Sequence, residues 1–168
     1  MTELDPIAEA RRQWIAHGWT DAAGGMTAVT SIMRAHQLLL ARVEQTLKPL
    51  GLTFARYELL QLLSFTRSGR MPLSSAARRL QVHQTSVTNT VDRLEAAALV
   101  RREAHPSDGR ATLVALTSAG RDLAGQATRA LNEGVFAAPG LDAADTEDLI
   151  AVLTRLRLNS GDPITLDD

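Results

Sequence analysis

The chain has 168 residues, enough for one domain with helical extensions, and its 45% hydrophobic and 22% charged residues fit a soluble globular protein. It contains no Cys, which excludes disulfides and a thiol redox switch. The net charge of −1 is unevenly distributed: residues 53–115 carry nine Arg or Lys and five Asp or Glu, whereas residues 142–168 carry two and seven. We therefore expect the middle of the chain to meet any anionic partner.

The beginning of the sequence has no targeting pattern. Residues 1–6 carry Glu3 and Asp5 and have no apolar run, so no signal peptide is expected. No apolar run approaches the roughly 20 residues that span a bilayer. These features predict a cytoplasmic protein without a membrane partner.

The first fifty residues predict two helices. Residues 5–19 form a short amphipathic helix with Asp5 as N-cap, and residues 21–25 form a loop. Residues 27–48 form a long helix that Pro49 stops. Its apolar stripe consists of Val29, Ile32, Met33, His36, Leu39, Leu40, Val43 and Leu47.

Two further helices precede the centre of the chain. Residues 53–65 form a helix capped by Thr53, and residues 66–70 form a loop. A short helix follows over residues 73–80, with Ser74 as its N-cap. The residues expected to face inward from these two helices are Tyr57, Leu60, Leu63, Ala77 and Leu80.

The stretch HQTSVTNTVDRLEAAALV, residues 83–100, combines two patterns. Val87, Val91 and Leu94 recur at the spacing of one helical face, with Ala98 four residues further on. The other face begins with polar side chains that can donate and accept hydrogen bonds although most of them disfavour helix. They are His83, Gln84, Thr85, Ser86, Thr88 and Asn89. Such side chains suit the reading of base edges in a DNA major groove.

Two strand-like runs follow this helix, residues 100–104 and 111–116, joined by the turn HPSDGR. Pro106 and Gly109 favour a turn, because Pro fixes φ and Gly supplies a positive φ. A β-hairpin directly after a helix-turn-helix is a winged helix. Its tip carries Arg110, and its base carries Arg101 and Arg102.

The last fifty residues predict two helices. Thr117 caps one that runs from residue 118 to residue 131 or 135, and Asp142 caps the other. The stripe of the second consists of Leu149, Val152, Leu153 and Leu156. Because the terminal helices are too apolar for the ends of a monomer, we expect a homodimer in which they intertwine.

Residues 50–120 resemble the multiple-antibiotic-resistance regulator (MarR) family of transcription factors, through LGLTFARYELL, SVTNTVDRLEAAALVRR, HPSDGR and LTSAG. The resemblance implies a mainly α fold with a small β-hairpin wing. Residues 51–117 would form the winged helix-turn-helix DNA-binding domain. Residues 1–50 and 118–168 would supply dimerisation helices, so that the whole is one intertwined domain without a cofactor.

Double-stranded DNA is the expected partner. Gln84, Thr85, Ser86, Thr88 and Asn89 would contact base edges, although a solvated polar face with His83 or Thr85 as N-cap is the alternative. Many family members carry Arg where this chain has Asn89. Ser74, Ser75, Arg101 and Arg102 would contact phosphate. The resemblance assigns insertion into a minor groove to Arg110, with Asp108 bracing the wing; a surface Arg in a polar turn is the alternative.

A small-molecule effector is also expected, because members of the family commonly bind aromatic or acidic molecules between the dimerisation helices and the winged helix. The residues proposed for such a crevice are Trp14, His17, Trp19, Met33, Arg34, His36, Arg56 and Tyr57. For His36 the alternative is a core or interface histidine. The four His include no closely spaced pair, so no metal site is expected.

The sequence thus predicts a homodimeric transcriptional regulator that binds a pseudo-palindromic operator, as a repressor, and leaves it when a small ligand favours a non-binding arrangement. The motifs of common catalytic sites are absent from the sequence, so no enzyme is expected. The alternative function is a winged helix that contacts only other proteins.

Overall fold

The computed structural model describes residues 4–106 and 112–162. The described chain is mainly helical with a small three-stranded antiparallel sheet, which confirms the predicted fold class. Its helices are α1 (Pro6–Ala16), α2 (Thr20–Leu47), α3 (Phe54–Ser64), α4 (Leu73–Leu80), α5 (Gln84–Ala96), α6 (Ser118–Leu131) and α7 (Ala143–Asn159). Its strands are β1 (Arg70–Pro72), β2 (Val100–Ala104) and β3 (Thr112–Leu116).

The helices α1 and α2 form a hairpin. The Asp5 side chain caps α1 by accepting from the Ile7 N–H at 3.0 Å, as predicted. The predicted loop at residues 21–25 is wrong, because these residues are the first turns of α2. Packing of α1 against this end of α2 buries Ala23 and outweighs the low helix propensity of the two glycines beside it.

The connection from α2 to α3 contains the predicted breaker. The helix α2 ends at Leu47, and a 3₁₀ turn over Lys48–Leu50 with Pro49 in its first turn follows. The Thr53 side chain caps α3 by accepting from the Arg56 N–H. The Phe54 N–H donates to the Glu44 carboxylate at 2.8 Å, so the start of α3 is also tied to α2.

The hydrophobic core joins the winged helix to the end of α2 and to α6, with α3 packed against α5 and α6. Its largest fully buried side chains are Leu47, Leu59, Leu60, Leu63, Leu94, Leu131, Val87, Val91, Val100 and Val114. Of the predicted α2 stripe, only Val43 and Leu47 are buried within the chain, and the other six residues are exposed. The N-terminal part of α2 therefore presents an uncovered apolar face.

The sheet has the strand order β1-β3-β2, and β1 was not expected from the sequence. Residue 70 lies opposite Ala115 of β3, and so does Arg101 of β2 on the other side. A strand of three residues is too short to show an alternation of apolar and polar side chains in the sequence. Its pairing with β3 is therefore the only feature that defines it. This pairing leads directly into α4, which begins at Leu73 after Pro72.

Two local predictions are therefore corrected. Ser74 is not the N-cap of α4, because the helix begins one residue earlier and Pro72 occupies the cap position without a side-chain bond. Ala98 is not buried with the apolar face of α5. That helix ends at Ala96, and Ala98 is exposed with φ +57 in the bend that leads to β2.

The C-terminal helices begin at the predicted caps. The Thr117 side chain accepts from the Gly120 N–H at 3.0 Å, and the Asp142 side chain accepts from the Asp145 N–H at 2.9 Å. Gly120 is needed here, since a Cβ would lie 2.0 Å from the Leu99 carbonyl oxygen. A π-helical turn, Asn132–Phe136, extends α6. None of the residues of α7 is buried within the chain.

Candidate nucleic-acid interface

The helix α5 is fixed to the core by one face and free along the other. Val87, Val91 and Leu94 are each at most 2% exposed, which sets the rotation of the helix about its axis. The opposite face then presents the predicted polar residues to solvent. His83, Gln84, Thr85, Ser86 and Asn89 are exposed, and Thr88 is half-buried.

Most of these polar side chains are available for an external partner. Within the described residues, no side-chain hydrogen bond involves Gln84, Thr85 or Asn89. Thr88 differs, since its hydroxyl donates to the Gln84 carbonyl at 3.0 Å and keeps only acceptor capacity. The structure thus provides a row of unengaged donors and acceptors on a rigid base.

The start of α5 also has no side-chain cap. His83 occupies the N-cap position without a capping bond, contrary to the capping alternative for this residue. The N–H groups of Gln84 and Thr85 have no acceptor among the described residues, whereas that of Ser86 donates to the His83 carbonyl. The helix dipole at this end favours an anion. This end of a 13-residue helix lies beside the polar row.

The helix α4 contributes hydroxyls and cations close to this end. Ser74 is exposed, and Ser75 accepts from the Arg78 guanidinium at 3.4 Å. A groove between α4 and α5 is lined by Arg78, Gln81 and His83, among others. The sequence analysis did not propose Arg78 as a DNA-binding residue. The pattern that could have indicated it is the pair Arg78-Arg79 at the end of LSSAARRL, and both residues are exposed in the structure.

The two arginines at the base of the wing differ in their bonding. The Arg102 guanidinium donates to the Asp92 carboxylate at 2.5 Å and also to the Glu95 carboxylate of α5. These bonds, with that to Asp92 first, raise the pKa of Arg102. Its backbone N–H donates to Glu95 at 2.8 Å as well. Arg102 therefore joins β2 to α5.

Arg101 makes no side-chain hydrogen bond to α5 among the described residues, and its side chain is 62% exposed. It donates to the Glu103 carboxylate at 2.8 Å, and Arg70 of β1 donates to the same carboxylate at 3.1 Å. The hydrogen bond from Arg70, followed by that from Arg101, lowers the pKa of Glu103. One carboxylate between two exposed guanidinium groups leaves this face of the sheet with a net positive charge.

The predicted wing tip lies outside the described residues. Asp108 and Arg110 both fall in the gap at residues 107–111. The strands that carry the tip are described: Ala104 of β2 lies opposite Thr112 of β3. The roles of Asp108 and Arg110 remain predictions.

The structure distributes the eight predicted effector residues over different parts of one chain. The Trp14 and Trp19 rings meet edge to face at 5.3 Å, and the His17 ring stacks on Trp19 at 5.4 Å, at the bend between α1 and α2. Met33 and Arg34 line a shallow pocket on α2, and residues at the start of α1 line its other side. His36 is exposed on α2.

The other two predicted effector residues lie on α3. Tyr57 is 7% exposed, and its hydroxyl lies 3.1 Å from the Thr128 hydroxyl of α6. Arg56 donates to the Gly51 carbonyl at 3.4 Å. Tyr57 thus serves the packing of α3 on α6, and an effector crevice made by all eight residues is not formed within one chain.

The described residues contain no cluster of three or more His, Asp or Glu that could hold a metal ion. In the same ranges, 4–106 and 112–162, no helix is long and apolar enough to cross a membrane.

The comparisons with known proteins agree with this geometry. A model of the MarR family matches residues 52–112. The chain is similar to Sco5413 of Streptomyces coelicolor, a MarR family transcriptional regulator: 46% identity over 84% of this chain and 99% of that chain, with a TM-score of 0.76. No curated protein sequence matches the chain.

Two other solved structures concern DNA binding. Sco3205 of Streptomyces coelicolor, a MarR family regulator in complex with DNA, is 25% identical over 77% of this chain and 82% of its own, with a TM-score of 0.68. BpsR of Bordetella bronchiseptica, whose DNA binding is regulated by 6-hydroxynicotinic acid, is 26% identical over 76% of this chain and 90% of its own, with a TM-score of 0.68.

Proposed function

The chain belongs to the MarR family of transcriptional regulators, which are not enzymes, and we propose that it is a homodimeric repressor of a pseudo-palindromic operator. The observation that carries the proposal is the polar row of α5, held on a buried base with most of its donors and acceptors unengaged. A surface of this kind can exchange water for base edges without first breaking internal bonds.

Within the major groove, the amides of Gln84 and Asn89 would read adenine, since each offers a donor and an acceptor in the geometry of the adenine edge. Thr85 and Ser86 would add single bonds near the start of the helix. The uncapped N-terminus of α5 would meet a phosphate, which fixes the depth of the helix in the groove.

Backbone contacts would come from both sides of α5. Ser74 and Ser75 lie at the start of α4, and Arg101 lies at the exposed edge of the sheet. We assign Arg110 to the adjacent minor groove, where a guanidinium is attracted by the negative potential of a narrow A·T-rich segment. Arg102 would brace the wing against α5 rather than contact phosphate, because two carboxylates already hold it.

The homodimer is proposed from the apolar surface that one chain leaves uncovered. Scattered apolar residues are normal on a surface, but two whole helix faces are not. The exposed apolar residues on α2 and α7 are Val29, Ile32, Met33, Leu38, Leu39, Leu40, Leu149, Ile150, Val152, Leu156 and Leu158. A second copy of the chain covers both faces and places two α5 helices about 34 Å apart, one turn of DNA.

The effector is proposed to be a small aromatic or organic acid. BpsR, similar to this chain, is regulated by such a compound. The aromatic cluster of Trp14, His17 and Trp19 offers stacking surface, and Arg34 on α2 offers a cation for a carboxylate. Binding releases DNA only if the ligand prefers a dimer arrangement in which the two α5 helices no longer fit successive turns.

The experiment that tests the function is selection of random duplex DNA by the purified protein at low salt, repeated with a panel of aromatic acids. An inverted repeat of roughly 16 to 20 base pairs supports the proposal, as two half-sites one turn apart require. Enrichment without any twofold-related sequence would contradict the dimeric operator. No enrichment would favour a winged helix that binds only proteins.

A further inference from the structure

The helix α7 has little contact with the winged helix of its own chain. It makes no extended packing contact with another helix or strand of the described chain, and none of its residues is buried. Its C-terminal end nevertheless reaches the turn between α4 and α5. Among the described residues, one side-chain hydrogen bond just after this end, rather than a shared apolar core, connects α7 to the helix-turn-helix.

The connection is made by the carboxylate of Asp162. Its Oδ1 accepts from the Gln81 amide Nε2 at 2.7 Å, and its Oδ2 accepts from the Arg157 Nε at 2.7 Å. The Asp162 backbone N–H donates to the Arg157 carbonyl at 3.1 Å, so the residue folds back onto the end of α7. The side chain is 22% exposed, which partly shields both charged bonds from water.

Gln81 occupies the position that sets the angle between α4 and α5. It ends α4 in the left-handed region, with φ +54 and ψ +40, and α5 begins three residues later. A non-glycine residue in this region costs energy, which Gly or Asn would reduce. Backbone N–H groups of Gln81 and Val82 donate to carbonyls of α4 and offset part of this cost. The bond to Asp162 is a further interaction that holds the Gln81 side chain at the turn.

We propose that Asp162 and Gln81 are positioning residues for operator binding: their bond holds the turn of the helix-turn-helix and couples it to α7. The inference rests on the proposed function, which assigns α7 to the dimer interface. A change in the dimer that moves the end of α7 then pulls on the turn, and the turn sets the direction of α5. A ligand that acts at the dimer helices thereby reaches the recognition helix through a single side-chain bond.

The sign of the expected effect separates positioning from direct electrostatics. A carboxylate near the DNA-facing groove repels phosphate, so its removal alone raises affinity for any duplex. Loss of a positioning bond does the opposite. It weakens binding to the operator and spares binding to random DNA, which depends on phosphate contacts more than on the direction of α5.

The test uses the full-length protein and the duplex recovered by selection, with fluorescence anisotropy as the readout. We expect Asp162→Ala and Gln81→Gly each to weaken operator binding about three- to tenfold. This loss corresponds to part of the free energy of one charge-assisted hydrogen bond. Binding to random duplex should change less than about twofold. The double variant should be no weaker than the weaker single variant, because both remove the same bond.

Two controls keep the result interpretable. Gln81→Gly relieves the left-handed backbone, so its melting temperature should be equal to or above that of the parent protein even though the operator affinity falls. Arg155→Ala changes an exposed residue of the same helix that makes no side-chain bond among the described residues, and it should leave operator affinity unchanged.

The proposal is overturned if Asp162→Ala binds the operator equally well or more tightly, if the two losses add, or if random duplex is weakened to the same extent. If the parent protein binds no duplex, the proposed function fails separately. Amide hydrogen exchange then tests the bond itself: Asp162→Ala must speed exchange at Val82 on the turn, and unchanged exchange there refutes the positioning role.

Discussion

Arg102 of β2 and Asp92 of α5 are joined by a charged hydrogen bond of 2.5 Å, and Glu95, one helical turn further along α5, holds the same guanidinium. The wing and the recognition helix therefore share one cation between two carboxylates. Because β2 is also paired with β3, the bond fixes the direction of the hairpin relative to α5. The groove-reading and wing contacts can then be presented to DNA as one rigid unit.

The first prediction separates the two neighbouring arginines. Arg102→Ala leaves two carboxylates without their cation and should lower the free energy of unfolding by about 1 kcal/mol. The loss is no larger because the partly exposed ion pairs are screened by solvent. Arg101→Ala should change the free energy of unfolding by less than about 0.5 kcal/mol. It should reduce the slope of log K for operator binding against log[salt] by the amount expected for about one phosphate contact. Chemical denaturation and salt titration of binding measure the two effects. An Arg102→Ala protein with unchanged stability would remove the bracing role.

The second prediction concerns Asn89, an exposed amide on α5. Asn89→Ala should relax the preference at one or two base positions in each half-site, at a cost of about 1–3 kcal/mol for the preferred base. Competition with single-base variants of the operator measures it. A uniform loss at every position would mean that Asn89 contacts phosphate instead.

The third prediction concerns the wing tip. Arg110→Ala should weaken operator binding at least severalfold, mainly for operators with A·T-rich flanks, and leave the dimer folded, because a guanidinium in a narrow minor groove contributes only to the complex. Affinity on A·T-rich and G·C-rich flanks, with the melting temperature as control, measures it. Equal affinity of the variant and the parent protein on both would exclude the wing from DNA binding.

The fourth prediction is a pH dependence at Glu58. This side chain lies on α3 in a crevice lined by Leu80, Val87 and other residues of the helix-turn-helix, and burial raises its pKa. A raised folded-state pKa means that Glu58 favours folding below its unfolded pKa and that this contribution is lost as pH rises through the folded value. At neutral pH the charged carboxylate therefore opposes folding.

Glu58→Gln should accordingly raise stability at pH 7 by less than about 1 kcal/mol, since solvent still screens the carboxylate. The difference should vanish below about pH 4, where Glu58 is protonated in both states. Melting temperatures at fixed protein concentration measure it, with the exposed Glu133→Gln as the matched control. A stabilisation that persists unchanged at low pH would contradict desolvation as the cause.

The features that the sequence predicted well are local ones. Asp5, Thr53, Thr117 and Asp142 each accept from a backbone N–H two or three residues ahead, so a few neighbouring residues determine the cap. The buried face of α5 likewise follows from the spacing of Val87, Val91 and Leu94 alone. The polar row on its other side is then exposed by geometry.

The features that the sequence did not predict depend on distant partners. Strand β1 exists because β3 lies beside it, and the start of α2 is helical because α1 packs there. The Gln81–Asp162 bond joins residues 81 positions apart, and the Arg102–Asp92 pair depends on how β2 folds back along α5. None of these contacts produces a periodic pattern in the sequence, so only the three-dimensional structure reveals them.

The central claim is that two recognition helices of one dimer read half-sites one helical turn apart. The measurement that tests it most directly is binding to the selected operator after insertion of five base pairs between its half-sites, which turns one half-site to the opposite face of the DNA. We predict at least a tenfold loss of affinity, down to the level of random duplex. Unchanged affinity for the lengthened operator would show that the half-sites are bound independently and would contradict the dimeric account.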